Sequence, residues 1–409
     1  MATIGWIDFS VDDRNRVGTV LDLLRPEGMI DELGMGTMRD ALADKMFPEI
    51  STIQTRAKYF FIIPYILYDY LKLKPAQRRG KSPSRYLEEN EYEIMWQLAE
   101  KYNHEEGIGV IGITKRRPDK IARRPSAIYW NGLYTYQFIN TQGLGVETFL
   151  QQTVNPNLES LLSSSGYSGD EMTSDDADAE YDNIFKLKVP PKSDWREELS
   201  IDLDFDEAQF LRDRIISISK NKLIAELLLN EKLWKLYTQA KNFMEFSRAA
   251  ISILDSLELK DTLILAHDFS ELMHGAHIAY NNILQGRVFG SYNFSDEWHD
   301  WLENIRQNMI DFENFNPEDL FVLAPTTRPV SIQFVRDWWE NTVAGFPDLS
   351  KRDLLIENQE AAVKGAKARI MHNKTDDVKE NGWLGLQHFE YRFFQARVIL
   401  NDIKEVLIQ

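Results

Sequence analysis

The chain has 409 residues, 43% hydrophobic and 27% charged, a globular composition that excludes collagen-like and wholly disordered proteins. It contains no Cys, which excludes disulfides, Cys-ligated zinc, iron–sulfur clusters and thiol catalysis. With 47 basic and 64 acidic residues the net charge is −17, which argues against indiscriminate coating of nucleic acid.

That charge is unevenly placed. Residues 1–155 carry 20 basic and 20 acidic side chains, whereas residues 156–409 carry 27 and 44. Within the first part, residues 51–130 hold 15 basic and 9 acidic residues, a local +6. A basic stretch inside an acidic chain is compatible with a confined anion-binding surface. Met1 to Asp8 has neither the basic nor the apolar region of a signal peptide. The most apolar run, Tyr59 to Tyr68, falls short of the roughly 18 residues that span a bilayer. The expectation is a cytoplasmic protein with no membrane contact.

In chain order, Ile4 to Phe9 reads as a short strand, followed by helical patterns over 10–24 and 37–45. Ser51 and Gln54 have capping-box spacing, predicting a helix that starts there, becomes apolar all round and is kinked or divided at Pro64. Ser82-Pro83 predicts a helix to about Tyr102. Gly107 to Ile113 reads as a glycine-permitted turn with a short apolar strand, leading into the basic residues Lys115, Arg116, Arg117, Arg123 and Arg124. Ser126 to Phe138 fits a helix or a hairpin equally well. Residues 163–183 are Ser-rich and then acidic without a basic residue, so they read as a solvated linker, closed by Pro190-Pro191. An acidic mimic that shields a basic partner surface is the weaker alternative.

Beyond Trp195 the pattern is helical: 205–219, 222–229, 231–256, 259–284, 296–310, 332–342, 350–371 and 385–408. The expected fold is mainly α. A mixed α/β N-terminal domain with basic loops (1–162) is joined by an acidic linker (163–192) to a C-terminal helical domain (193–409).

The chemical motifs are weak. Gly80-Lys81-Ser82 ends like a phosphate-binding loop, but Pro75 occupies the position of the first glycine and a helix precedes it. Gly107, Gly109 and Gly112 satisfy G-x-G-x-x-G, yet a basic loop with Pro118 follows where a dinucleotide site needs a helix. On a helix at about 100° per residue, Glu271 and His274 fall within about 40° of His267, opposite the apolar face. That stripe reads as solvated or partner-facing rather than metal-binding. Asp202, Asp204 and Asp206 read as an acidic helix start more simply than as a cation site. No cofactor is expected.

The candidate anion-binding set is Arg56, Lys58, Lys115, Arg116, Arg117, Arg123 and Arg124, with Lys364, Lys367 and Arg369 as a second group. Cations among aromatics supply what phosphate contact and base stacking require.

The blocks Asp31 to Gly36, Met38 to Ala41, Phe47-Pro48 and Ser51 to Phe60 resemble an uncharacterised bacterial family, domain of unknown function number 6361. Gly109 to Gly112, Arg124 to Leu133, Gly275-Ala276, Tyr280-Asn281, Lys364 to Arg369, Tyr391-Arg392 and Asp402-Ile403 extend the resemblance over nearly the whole chain. The resemblance implies a setting beside helicases, methyltransferases and nuclease-like genes in anti-phage loci, and transfers no chemistry. The sequence departs from the family pattern near Tyr134 to Phe138 and in its long acidic insert.

The resulting expectation is a non-enzymatic helical subunit of a bacterial anti-phage defence complex. It would contact DNA, or a defence-system partner such as a helicase or nuclease, through the N-terminal basic segment. The alternatives are a metal-dependent nuclease or hydrolase using Asp12, Asp31, Glu32 or Asp40, and a pure protein-docking scaffold. Ion pairs of Arg39 with Asp40, or of Arg56 with a carboxylate, that merely fix helix packing are as plausible as any binding role for that block.

Overall fold

The computed structural model describes residues 31–408, apart from 79–80, 142, 153–188, 190, 309–311, 313, 375–377 and 381. The principal helices of the first half are α1 (Gly36–Met46), α2 (Tyr59–Lys72), α3 (Pro83–Lys101) and α4 (Pro125–Thr135). They are followed by α5 (Phe205–Ile218), α6 (Leu223–Leu229), α7 (Glu231–Gln239) and α8 (Phe243–Ala250). The remainder are α9 (Leu257–Phe289), α10 (Ser295–Gln307), α11 (Pro329–Val343), α12 (Leu349–Lys364) and α13 (Phe393–Ile408). Among the described residues there is no strand, so the expected mixed α/β domain is replaced by helices and turns. The strand expected at Ile4 to Phe9, and the acidic stretch 163–183, lie outside the described residues.

The chain forms two compact units, each discontinuous in sequence. One comprises residues up to Ala43 together with Phe243–Tyr391, and the other comprises Asp44–Asn242 with Arg392–Gln409.

In the second of these units α2 is the central element. Every side chain from Tyr59 to Leu67 is buried, as its all-round apolar sequence predicts. Helices α3 and α4 pack against it, and Phe60 meets the Tyr129 and Tyr136 rings edge-on at 5.0 and 5.8 Å. The helix passes through Pro64 undivided. The capping box does not form either: Gln54 Oε1 accepts from the Ser51 N–H at 3.3 Å, but the Ser51 hydroxyl has no partner and the helix starts only at Tyr59. Ser82 does cap α3, accepting from the Arg85 N–H at 3.2 Å, with Pro83 in the first turn. Residues 125–135, open to two readings in the sequence, are helical, again with Pro at the start.

The strand expected within 107–113 fails for a local reason. Gly107, Gly109 and Gly112 adopt φ of +91°, +88° and +77°, which curls the segment into turns closed by Ile113 N–H to Val110 and Lys115 N–H to Gly112. A Cβ on Gly109 would stand 2.8 Å from the Arg56 side chain.

The other unit is built around α9, 33 residues long, with α8, α10, α11 and α12 against it. Gly275 lets the Trp301 ring lie directly on this helix, and Trp301 Nε1 donates to the Glu271 carbonyl at 3.0 Å. Three expected helices are shorter than their patterns. The 231–256 pattern divides into α7 and α8, 350–371 stops at Lys364, and 385–408 begins only at Phe393.

Candidate functional site

The basic residues of the second unit separate into two kinds. Arg56 is enclosed: Nε lies 2.9 Å from Asp402 Oδ1, Nη2 lies 2.7 Å from Asp202, and Nη1 donates to the Ile108 carbonyl. Lys58 Nζ is 2.6 Å from Glu207, which is itself buried and also accepts from the Tyr65 hydroxyl. Arg124 caps nothing with its side chain but reaches Glu91 at 3.0 Å and Glu147 at 3.4 Å. Glu91 also accepts from the Ser126 N–H and hydroxyl. Burial pushes its carboxyl up to about 7, against the opposing pull of Ser126 and Arg124.

The loop between Gly112 and Arg124 is the second kind. Arg117 forms a two-pronged contact with Glu93 at 2.6 and 2.7 Å, and its guanidinium lies 5.0 Å above the Trp96 ring. Lys120 reaches Glu88 at 3.3 Å and lies over Tyr92. These contacts to α3, together with the 2.8 Å bond of the Ile111 N–H to the Tyr59 hydroxyl, pin the loop. Lys115, Arg116 and Arg123 are exposed and have no ion-pair partner among the described residues. The loop is thus held by some of its cations while others point to water.

The second basic group belongs to the other unit. Lys364 Nζ and Arg369 Nε lie 3.6 and 3.7 Å from the Glu32 carboxylate, while Lys367 is exposed. Burial raises the Glu32 carboxyl, and the two cations counter that shift. This arrangement joins the first and the late family-like blocks, over 300 residues apart, in one ion-pair cluster. Asp31, Glu32 and Arg39 each have partners within this unit. Asp31 accepts from the Met35 and Gly36 N–H groups at the start of α1, and Arg39 pairs with Asp40 at 3.0 Å. Asp12 lies outside the described residues.

A family model, described as Family of unknown function (DUF6361), matches residues 1–404. The chain belongs to the DUF6361 family. No curated protein and no solved structure matches it.

In this DUF6361 chain the stripe of α9 that carries His267, Glu271 and His274 is not solvated. Glu271 is buried, accepting from Asn304 Nδ2 at 3.1 Å and lying 3.2 Å from His388 Nε2. The His274 ring stacks on His388 with centroids 3.8 Å apart. What covers the stripe is the chain's own segment 379–391. Gln285 donates to the Lys379 and Gly382 carbonyls, and Asn281 exchanges two bonds with Leu384. Further along, His277 Nδ1 lies 3.0 Å from the Gln387 carbonyl and the Ser270 hydroxyl accepts from the Phe389 N–H. Tyr391 donates to the Ala266 carbonyl at 2.7 Å. The stripe substitutes for the backbone partners that this irregular segment lacks. That also explains why no helix forms over 385–392.

Among the described residues no group of three or more His, Asp or Glu side chains is arranged to hold a metal ion. Asp204 caps α5 in a full capping box with Glu207, and Asp202 serves Arg56, so the Asp202–Asp206 run is a helix start. Gly80 lies outside the described residues, and Ser82 is occupied as a cap. No helix is long and apolar enough to cross a membrane among the described residues.

The sequence reading missed the acidic side of this surface. Glu88, Glu91 and Glu93 on α3 select which cations stay available, and only the packing of the loop on α3 reveals that selection.

Proposed function

We propose that this protein contacts DNA, or a DNA-processing partner, through a phosphate-binding surface made by Lys115, Arg116 and Arg123, with Arg117 ordering the loop. It acts as a non-catalytic helical subunit, in the defence setting that the family resemblance implies. The observation that carries the reading is the set of three exposed cations, unpaired among the described residues, on a loop fixed by its neighbours' ion pairs. The local excess of basic residues over 51–130 supports it. Arg56, Lys58, Arg124, Lys364 and Arg369 stand outside the proposed contact set, because each faces a carboxylate of its own unit.

The test is fluorescence anisotropy of labelled single- and double-stranded DNA against the full chain, from about 50 to 200 mM salt. A Lys115→Glu/Arg116→Glu/Arg123→Glu variant with unchanged circular dichroism should lose binding. Milder replacement of the three by Gln should lower the salt slope by about 2 to 3 units. Unchanged DNA binding and unchanged partner recovery in the charge-reversed variant would end the proposal. Absence of DNA binding, with a co-purifying protein that the variant releases, would assign the surface to a protein partner.

A further inference from the structure

A cavity of about 420 Å³ lies beside the turn that follows Pro48. Its lining belongs to the unit that holds the basic loop, and no residue of that loop takes part. The volume falls inside the range of about 300–1,000 Å³ typical of small-molecule sites. Two side chains of opposite charge line it, Glu49 in the turn and Arg392 just before α13. Both stand on left-handed backbone, with φ of +61° and +65°, a conformation that residues other than glycine rarely adopt. Gln54, which is buried, holds the turn in that shape by donating to the Glu49 carbonyl at 2.9 Å and accepting from the Ser51 N–H. Strain of this kind persists only where the surroundings enforce it, and it concentrates at ligand clamps.

Arg392 has bonding capacity to spare. Its side chain is only 15% exposed, yet Nη1 alone has a partner among the described residues, the Asp44 carboxylate. Asp44 is itself 62% exposed, so water screens that pair. Nε and Nη2 keep their hydrogens for a second acceptor, and a carboxylate can take two parallel bonds from such a fork. Glu49 is oriented without being neutralised. Its oxygens accept from Asn131 Nδ2 at 3.0 Å and from the Thr135 hydroxyl at 2.8 Å, both uncharged donors. Among the described residues it forms no ion pair, with Arg392 or with any other cation. A cation and an anion that line one cavity without pairing match a ligand that carries both charges.

We infer that this cavity binds a small aliphatic amino acid, its carboxylate on the Arg392 fork, its ammonium on Glu49 and its side chain against Ile50 and Ile128. The two isoleucines supply the apolar part of the lining. A ligand with only a negative head would meet Glu49 and Asp44 without a compensating cation of its own. One with only a positive head would leave the Arg392 nitrogens unused.

Leucine, isocaproate and isoamylamine test this directly, since they share the aliphatic body and carry both charges, the negative one alone or the positive one alone. Titration calorimetry on the full chain should give saturable binding of leucine, with both analogues weaker by at least about tenfold. Glu49→Gln should weaken leucine at least about tenfold and leave isocaproate within about twofold. Arg392→Gln should weaken leucine and isocaproate alike. Both variants would be checked for an unchanged melting temperature, and the comparison of the three ligands on the unaltered chain stands even where a variant fails to fold. The inference is overturned if either analogue binds as tightly as leucine, or if folded Glu49→Gln binds leucine like the unaltered chain. A lack of saturation with leucine by about 10 mM overturns it too.

Discussion

Arg56 Nε stands 2.9 Å from Asp402 Oδ1, across 346 residues of sequence. Asp402 also accepts from the Ala57 N–H at 2.7 Å, and the Tyr129 hydroxyl accepts from the Thr55 and Arg56 N–H groups. A single guanidinium therefore joins the 55–57 segment, the glycine-rich turn through Ile108, Asp202 and helix α13. Burial raises the Asp402 carboxyl and Arg56 counters that shift. Without Arg56 the buried Asp402 charge would keep only the Ala57 N–H and no countercharge from Arg56.

Arg56→Ala should therefore destabilise the protein by about 3–5 kcal/mol, the cost of leaving one member of a buried pair alone. Arg56→Lys should recover only part of this, because an ammonium cannot reach Asp402, Asp202 and the Ile108 carbonyl with one planar fork. Urea unfolding of the two variants measures both values. A loss for Arg56→Ala below about 1 kcal/mol would mean that water replaces the pair.

Gly275 tests a different kind of constraint. A Cβ there would overlap the indole of Trp301, whose Nε1 is already bonded to the Glu271 carbonyl. The ring is wedged between α9 and the Trp298 and Phe346 rings, so it has little room to yield. Gly275→Ala should cost about 1–3 kcal/mol despite the better helix propensity of alanine. At exposed Gly145 nothing lies within 4 Å of the added methyl, and Gly145→Ala should be neutral or slightly stabilising. Equal melting temperatures for the two variants would contradict this packing argument.

Acid should weaken the unit that holds α9. Burial lowers the pKa of His277 to about 4 and that of His274 to about 3, from an ordinary 6.5. As pH falls below about 6.5 the unfolded chain takes up protons that the folded chain refuses, so unfolding becomes easier. The folded form loses up to about 1.4 kcal/mol per pH unit for each such histidine until its own pKa is reached. Glu271, whose carboxyl the His388 contact holds low against burial, adds a loss in the same direction below about 4.5. Denaturant midpoints measured from pH 8 to 5 should therefore decline, and His277→Gln should flatten the decline. A midpoint that rises on acidification would reverse the sign of the argument.

The parts of this fold legible in the sequence are those fixed by local chemistry. Ser82-Pro83 announces α3, Asp204 announces α5, and the continuous apolar run from Tyr59 to Leu67 correctly implies burial on all sides. Legibility ends where a residue answers to a distant one. The strand expected after Gly107 was blocked by left-handed glycines that an apolar count does not register. The polar stripe of α9 was judged solvated because its opposite face is apolar. Both faces are buried, and the polar one holds the 379–391 backbone more than 90 positions away in the chain. At the basic surface, the sequence supplied Lys115, Arg116 and Arg123, but not the carboxylates that withdraw Arg124 and Arg56 from it.

Asn281 makes the strongest single test of that stripe. Its Nδ2 donates to the His277 carbonyl and to the Leu384 carbonyl at 3.0 Å, while its Oδ1 accepts from the Leu384 N–H at 2.7 Å. The side chain is fully buried, so water cannot replace it in place. Asn281→Ala would leave the Leu384 donor and acceptor without partners, each costing about 1–3 kcal/mol unless the segment moves away. Movement is opposed on both sides, by Gln285 at the Lys379 and Gly382 carbonyls and by Ser270 at the Phe389 N–H. The expected result is loss of hydrogen-exchange protection at Leu384 and Phe389, with a global cost of about 2–4 kcal/mol. Asn281→Asp should be as damaging, since a carboxylate still accepts from the Leu384 N–H but faces its carbonyl with a second acceptor. If both amides keep their protection in Asn281→Ala, the stripe does not hold the segment, and the apolar contacts of Phe389 and Tyr391 do so instead.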